Sequence, residues 1–187
     1  MNEVLKTIEE RSSIRAYTNE RLTDEEIKTL ITAALQAPTA RNMQEVHISV
    51  VDGGNPILKE IDTECKLAML ATPPDEETKA KIESNPNNFY YSAPTVFILS
   101  ADKDLKWNRL DAGIAVENVA LAAQSMGLGS LIIGIIDDAM RGEKKDYFAE
   151  VLNFPENYEF AIAVAVGHRD TEKEPHEIDF DKSVSFI

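Results

Sequence analysis

The stretch LDAGIAVENVALAAQSM (110–126) constrains this chain more than any other. It reads as one long helix, rich in alanine, apolar over most of its circumference and stopped by Gly127. A helix of that kind cannot lie on a surface with one face in water. It belongs in a deep core or at the centre of a large interface. Gly113, Ala115, Ala120, Ala122 and Ala123 supply the small side chains for either setting.

The remaining pattern supplies layers to surround it. Val4, Leu5 and Ile8 share one face of a first helix. Thr23 with Glu26 forms a capping box, and Ile27, Leu30, Ile31, Ala34 and Leu35 continue the helical stripe until Pro38 ends it. VHISVV (46–51) reads as a strand, GGN (53–55) as a turn, and PILKEIDTECKLAML (56–70) as a helix. The polar stretch TPPDEETKAKIESNPNN (72–88) reads as irregular. TVFILSA (95–101), LGSLIIG (128–134) and FAIAVAVG (160–167) are strands of the buried kind, and DDAMRGEKKDYFAEVL (137–152) gives one or two short helices. No repeat or linker divides the chain. It reads as a single α+β domain, 1–187.

Charge and cysteine content remove several functions. With 33 Asp+Glu against 19 Lys+Arg the net charge is -14, which opposes sequence-independent binding of nucleic acid. No apolar run reaches the roughly 18 residues that would span a bilayer. The N-terminus lacks a signal-peptide core, and the single cysteine, Cys65, fits a reducing cytoplasm. His47, His168 and His176 have no metal-ligand spacing, so no metal site is expected. No phosphate-binding glycine loop and no nucleophile elbow occurs. A chain of this type carries out chemistry by borrowing a cofactor.

Against this acidic background, RSSIR stands out: Arg11, Ser12, Ser13 and Arg15 fall within five residues. Guanidinium groups with hydroxyl donors between them suit a phosphate monoester; the alternative is an ordinary charged surface turn. Further on, AALQAPTARNMQ (33–44) leaves a helix at Ala37-Pro38 and continues with small and amide residues.

Together these two segments resemble the nitroreductase family of flavoproteins. That family carries an R-x-S-x-[RK] type segment followed by A-P-S-x-x-N-x-Q. Here they are Arg11-Ser12-Ser13-Ile14-Arg15 and Ala37-Pro38-Thr39-Ala40-Arg41-Asn42-Met43-Gln44. YYSAPTVFILSAD, LDAGIAVENVALAAQSMGLGSLIIG and FAIAVAVGH agree with its core strands and helix, so the likeness covers nearly the whole chain. The resemblance implies a central, mainly antiparallel sheet flanked by helices, in a homodimer with flavin mononucleotide (FMN) at the interface. It gives phosphate and ribityl roles to Arg11, Ser12, Ser13 and Arg15. It gives ring contacts to Pro38, Thr39, Ala40 and Asn42 from the other subunit. The turn at Ile132, Ile133 and Gly134 would face flavin N5. Independently of the resemblance, the tail ends in Val184, Phe186 and Ile187, and exposed apolar residues at a terminus are costly, so the C-terminal extension, about 170–187, is expected to dock on the partner, the alternative being its own subunit.

The implied activity is hydride transfer from NADH or NADPH to FMN, then to a nitroaromatic, quinone or similar small-molecule acceptor, in ping-pong order. No catalytic side chain is implied. The sequence departs from the family in three places. Where many members close the phosphate site with a basic pair there stands RDTEKEPHEIDF, which offers Arg169, Lys173 and His176 but no matching pair; Arg169, with His168 near it, is the candidate, and a solvated acidic tail is the alternative. Glu45-Val46 replace the aromatic that follows N-x-Q. The middle insertion is short, leaving NPNNFYY (85–91) for a polar ring contact or part of a small lid. Two other functions are compatible with these residues: a same-family enzyme of different chemistry, such as dehalogenation or flavin destruction, and a non-catalytic FMN-binding or sensing protein.

Overall fold

Strands β1 (Val46–Asp52), β2 (Thr95–Asp102), β3 (Leu128–Ile133) and β4 (Tyr158–His168) form one sheet in the order β1-β2-β4-β3. Every neighbouring pair is antiparallel, with one register shift at Leu99/Ser100. The computed structural model describes residues 2–73 and 75–187.

Both faces of the sheet are covered, and strand alternation decides which side chain goes where. Val96, Ile98, Ala163, Ala165, Leu131 and Ile133 face one layer. There they meet α3 (Pro56–Ala71), α6 (Asp137–Arg141) and α7 (Lys145–Val151) through Ile57, Leu58, Ile61, Met140 and Phe148. Phe97, Leu99, Val164, Val166 and Leu128 face the other layer, made by α2 (Asp24–Leu35) and α5 (Asn108–Ser125). The 95–101 and 160–167 segments therefore read as near-continuous apolar runs because each is buried on both sides.

The long alanine-rich helix is α5. Ala112, Ala115, Val116, Val119, Ala120 and Ala123 are buried along one stripe against the sheet and α2. Its outer side is only half-covered at Ile114 and Leu121, and a Cβ added at Gly113 would meet nothing within 4 Å. The capping box of α2 is formed: Thr23 N–H donates to Glu26 Oε2 at 2.7 Å, and Glu26 N–H to Thr23 Oγ1 at 3.2 Å. The Thr23 N–H, joined by the Thr23 hydroxyl donating to the same oxygen at 2.8 Å, holds the Glu26 carboxyl below its usual range.

One expectation needs correction. The polar stretch 72–88 is not irregular throughout: Glu76–Ser84 forms α4. Asp75 caps it by accepting from Thr78 N–H at 2.6 Å, and Glu77–Lys81 is an i,i+4 ion pair at 2.6 Å. A helix made by caps and charges has no apolar stripe to betray it. Pro74, within that stretch, lies outside the described residues. The first helix, α1 (Glu3–Glu10), exists as expected, but none of its residues is buried. Beyond β4 the chain is exposed from Asp170 to Ile187, apart from forming one short helix, α8 (Phe180–Ser183). No described helix is long and apolar enough to cross a membrane.

Candidate functional site

Arg11 ends α1, its N–H donating to Thr7 C=O at 3.0 Å. From there the chain docks on the free edge of β3. Ser13 sits opposite Ser130 in a parallel bridge, and Ile14 N–H donates to Ser130 C=O at 2.9 Å. Thr18 N–H then reaches His168 C=O at 2.9 Å, and Asp170 N–H reaches Ala16 C=O at 3.0 Å. Ile14 is buried and fills the space over Gly129, where an added Cβ would stand 2.9 Å from Ile14 Cγ2. Glycine at 129 thus lets the segment approach the strand.

The four polar residues of this segment have different surroundings. Arg11 Nε lies 3.6 Å from Glu117 Oε1 on α5. Ser12 Oγ points to Glu174 C=O at 3.5 Å. Arg15 is exposed, makes no ion pair among the described residues, and has its guanidinium carbon 5.8 Å from the Tyr91 ring centroid. It is the cation of the segment most available to an outside anion.

β3 ends at Ile133, which is buried, and Gly134 follows in the open. A Cβ at Gly134 would meet only Ile162 Cδ1, at 3.8 Å, so the protein's own packing does not require glycine there. An outside group approaching the backbone would. Beside it, Cys65 Sγ donates to Ile135 C=O at 3.4 Å. Burial pushes the Cys65 thiol up to about 11, with Asp62 and Asp138 adding to the effect, so it stays a protonated donor. A cavity of about 100 Å³ opens here, lined by Ile135, Tyr91, Phe89 and Met69, with Asn85, Asn87 and Asn88 supplying polar groups. The 85–91 segment therefore faces the same region as Gly134 and Arg15.

The second candidate segment follows α2. Thr39 Oγ1 accepts from Gln44 N–H at 2.9 Å, around a single turn of 3-10 helix, Ala40–Asn42. Arg41, Asn42 and Gln44 all have φ 55, a left-handed conformation that non-glycine residues hold only under constraint. Asp111, buried in the first turn of α5, ties this loop to the helix: its Oδ2 accepts from Ala40 N–H at 2.8 Å. Glu45 is also buried there. Burial raises its carboxyl above the usual range, and the Asp111 and Asp102 carboxylates add to this. Its Oε2 has no hydrogen-bond partner among the described residues.

One chain does not bring the two segments together. Asp111 anchors the 38–44 loop, whereas Arg11 meets α5 at Glu117, about 9 Å further along the axis and on another side of the helix. Arg169 stands beside the docked segment, in an antiparallel bridge with Tyr17, and its side chain turns to α5: Nε donates to Gly127 C=O at 3.0 Å, Nη2 to Gln124 Oε1 at 3.3 Å and Nη1 to Glu172 Oε2 at 3.4 Å. Its guanidinium closes the C-terminal end of α5. His168 Nε2 is buried without a hydrogen bond among the described residues, 3.9 Å from Glu20 Oε1. The Glu45–Asp111 pair went unseen in the sequence, because its partners are far apart in the chain. An acid in the first turn of a helix rich in alanine was the one available signal.

Comparison with known proteins fits this geometry. The model of the nitroreductase family matches residues 8–168. A nitroreductase with bound FMN from Desulfitobacterium hafniense superposes with a TM-score of 0.88 at 32% identity, covering 100% of this chain and 99% of that one. A nitroreductase with bound FMN from Bacteroides fragilis gives 0.86 at 26%, with full coverage of both. A protein of Archaeoglobus fulgidus is 30% identical over 185 residues, 96% of this chain and 92% of its own. The FMN reductase (NADPH) of Bacillus subtilis is 29% identical over 182 residues, 90% of this chain and 66% of that one. With the sheet, the docked RSSIR segment and the open turn after β3 in place, the match over most of its length shows that this chain belongs to the nitroreductase family.

Proposed function

We propose that the protein is an FMN-dependent oxidoreductase that uses NADH or NADPH to reduce nitroaromatic, quinone or similar electrophilic acceptors. The observation that carries this reading is the docking of RSSIR on β3 through Ile14 and Ser130. It sets anion-binding groups beside the strand whose end is an open glycine. Arg15 and the Ser12 and Ser13 hydroxyls would hold the phosphate, with Arg11 behind them. Gly134 would offer its bare backbone to the ring, and Asn85 and Asn88 would face the ring's polar edge. Bound there, FMN would supply two-electron chemistry, taking a hydride from the nucleotide and passing it to the acceptor. The chain supplies position and charge, not a nucleophile. The FMN-bearing relatives support this assignment.

A second copy of the chain completes the site in this reading. α1 exposes Val4, Leu5 and Ile8 at 66%, 53% and 51% and buries none of its residues, so its apolar face lacks a cover. Gly113 faces open space on α5. The outer edge of β1 is unpaired, and Val184 and Phe186 in the exposed tail alternate as an added strand would. Pro38, Thr39, Ala40 and Asn42 of the partner subunit would then reach the flavin that Arg15 holds. Sedimentation of the FMN-loaded protein tests this: a dimer is expected, with Ile8→Glu giving monomer and weaker FMN binding. A monomer that binds FMN stoichiometrically at low concentration would contradict it. Steady-state plots should be parallel lines, because donor and acceptor use the site in turn.

A further inference from the structure

A cavity of about 240 Å³ lies in front of Trp107 and the 38–44 loop, and none of the assignments above uses its charges. Its wall is apolar: Trp107 and Met43, about half exposed, with Leu105. Arg41 and Lys106 also line it. Neither makes an ion pair among the described residues, although the chain carries 33 acidic side chains. Lys106 Nζ sits 4.5 Å from the Trp107 ring centroid instead. Deepest are Glu45 and Asp111. Asp111 is compensated by the Ala40 N–H and by the N-terminal turn of α5. Glu45 is buried beside it, and its Oε2 has no hydrogen-bond partner among the described residues. The cavity therefore offers cations, then a flat apolar wall, then an unsatisfied acid group.

We propose that this cavity holds the oxidising substrate and selects aromatic electrophiles that carry an anionic group. The ring lies on Trp107, the anion between Arg41 and Lys106, and the reducible oxygen on Glu45. The inference rests on the functional reading above, because Ala40 lines this cavity and is also assigned to the flavin ring.

The test uses oxidised, FMN-loaded protein without nucleotide, so that nothing turns over. Calorimetry compares 4-nitrobenzoate with its neutral analogue, 4-nitrobenzamide. The carboxylate should bind roughly tenfold more tightly, through charge-assisted pairing. Added salt should erode that advantage. Arg41→Gln with Lys106→Gln should bring the two ligands level. Glu45→Leu should weaken both by a similar factor and keep the preference. Equal affinities, no binding, or a preference that survives the double substitution would overturn the proposal. A preparation that takes up no FMN would instead strike at the functional reading; one that holds FMN and binds both ligands alike overturns only this inference.

Discussion

The backbone N–H of Ile14 donates to the carbonyl of Ser130 at 2.9 Å, which ties the arginine-bearing segment to the strand that ends at Gly134. The groups proposed for the phosphate and for the ring are thereby held in one frame, and each can be perturbed without the other.

Arg15→Ala should weaken FMN binding by about 1.5–3 kcal/mol, the range for hydrogen bonds to charged groups. Arg11→Ala should cost less, because Arg11 already faces Glu117 at 3.6 Å. Titration of apoprotein with FMN, followed by flavin fluorescence, reads both. Unchanged affinity in both variants would remove the phosphate assignment.

Two glycines should behave in opposite ways. Gly129→Ala drives a Cβ to 2.9 Å from Ile14 Cγ2 and should destabilise the fold by about 1–3 kcal/mol, as overpacking does. Gly134→Ala meets nothing closer than 3.8 Å and should melt within about 0.5 kcal/mol of the parent. It should nevertheless slow reduction of the bound flavin. Thermal melts and stopped-flow reduction separate the effects; a Gly134 variant with full activity would place the flavin elsewhere.

Glu45 makes a pH-dependent prediction. Its folded-state carboxyl is raised by burial, so folding favours the protonated form. Its contribution to stability is fully present below the unfolded value, near 4.3, and is lost as pH rises through the higher folded value. Glu45→Gln keeps the neutral form at every pH. It should raise the melting temperature at pH 7.5, and by less at pH 5. A gain that is equal at both would show that Glu45 is ionised in the fold.

Much of this was readable in the residues, and the gaps have physical causes. The 95–101 and 160–167 strands and the 110–126 helix announce themselves because each is apolar on more than one side. The Thr23–Glu26 box is visible because its partners are three residues apart. α4 was hidden because charges and Asp75 make it, with no buried face. The ties of Ala40 to Asp111, and of Arg169 to the end of α5, join distant parts of the chain; only the fold reveals them. The RSSIR and APTARNMQ motifs suggested the chemistry proposed here and a site shared between subunits, but not which residues of α5, Glu117 and Asp111, hold the two segments.

The central claim is that the chain holds FMN where a nicotinamide can reduce it. The purified protein should be yellow. Under anaerobic conditions NADH or NADPH alone should bleach it, and a quinone or nitroaromatic should restore the colour. A flavin that dithionite bleaches but neither nucleotide does would leave a binding or sensing protein, and would contradict the account.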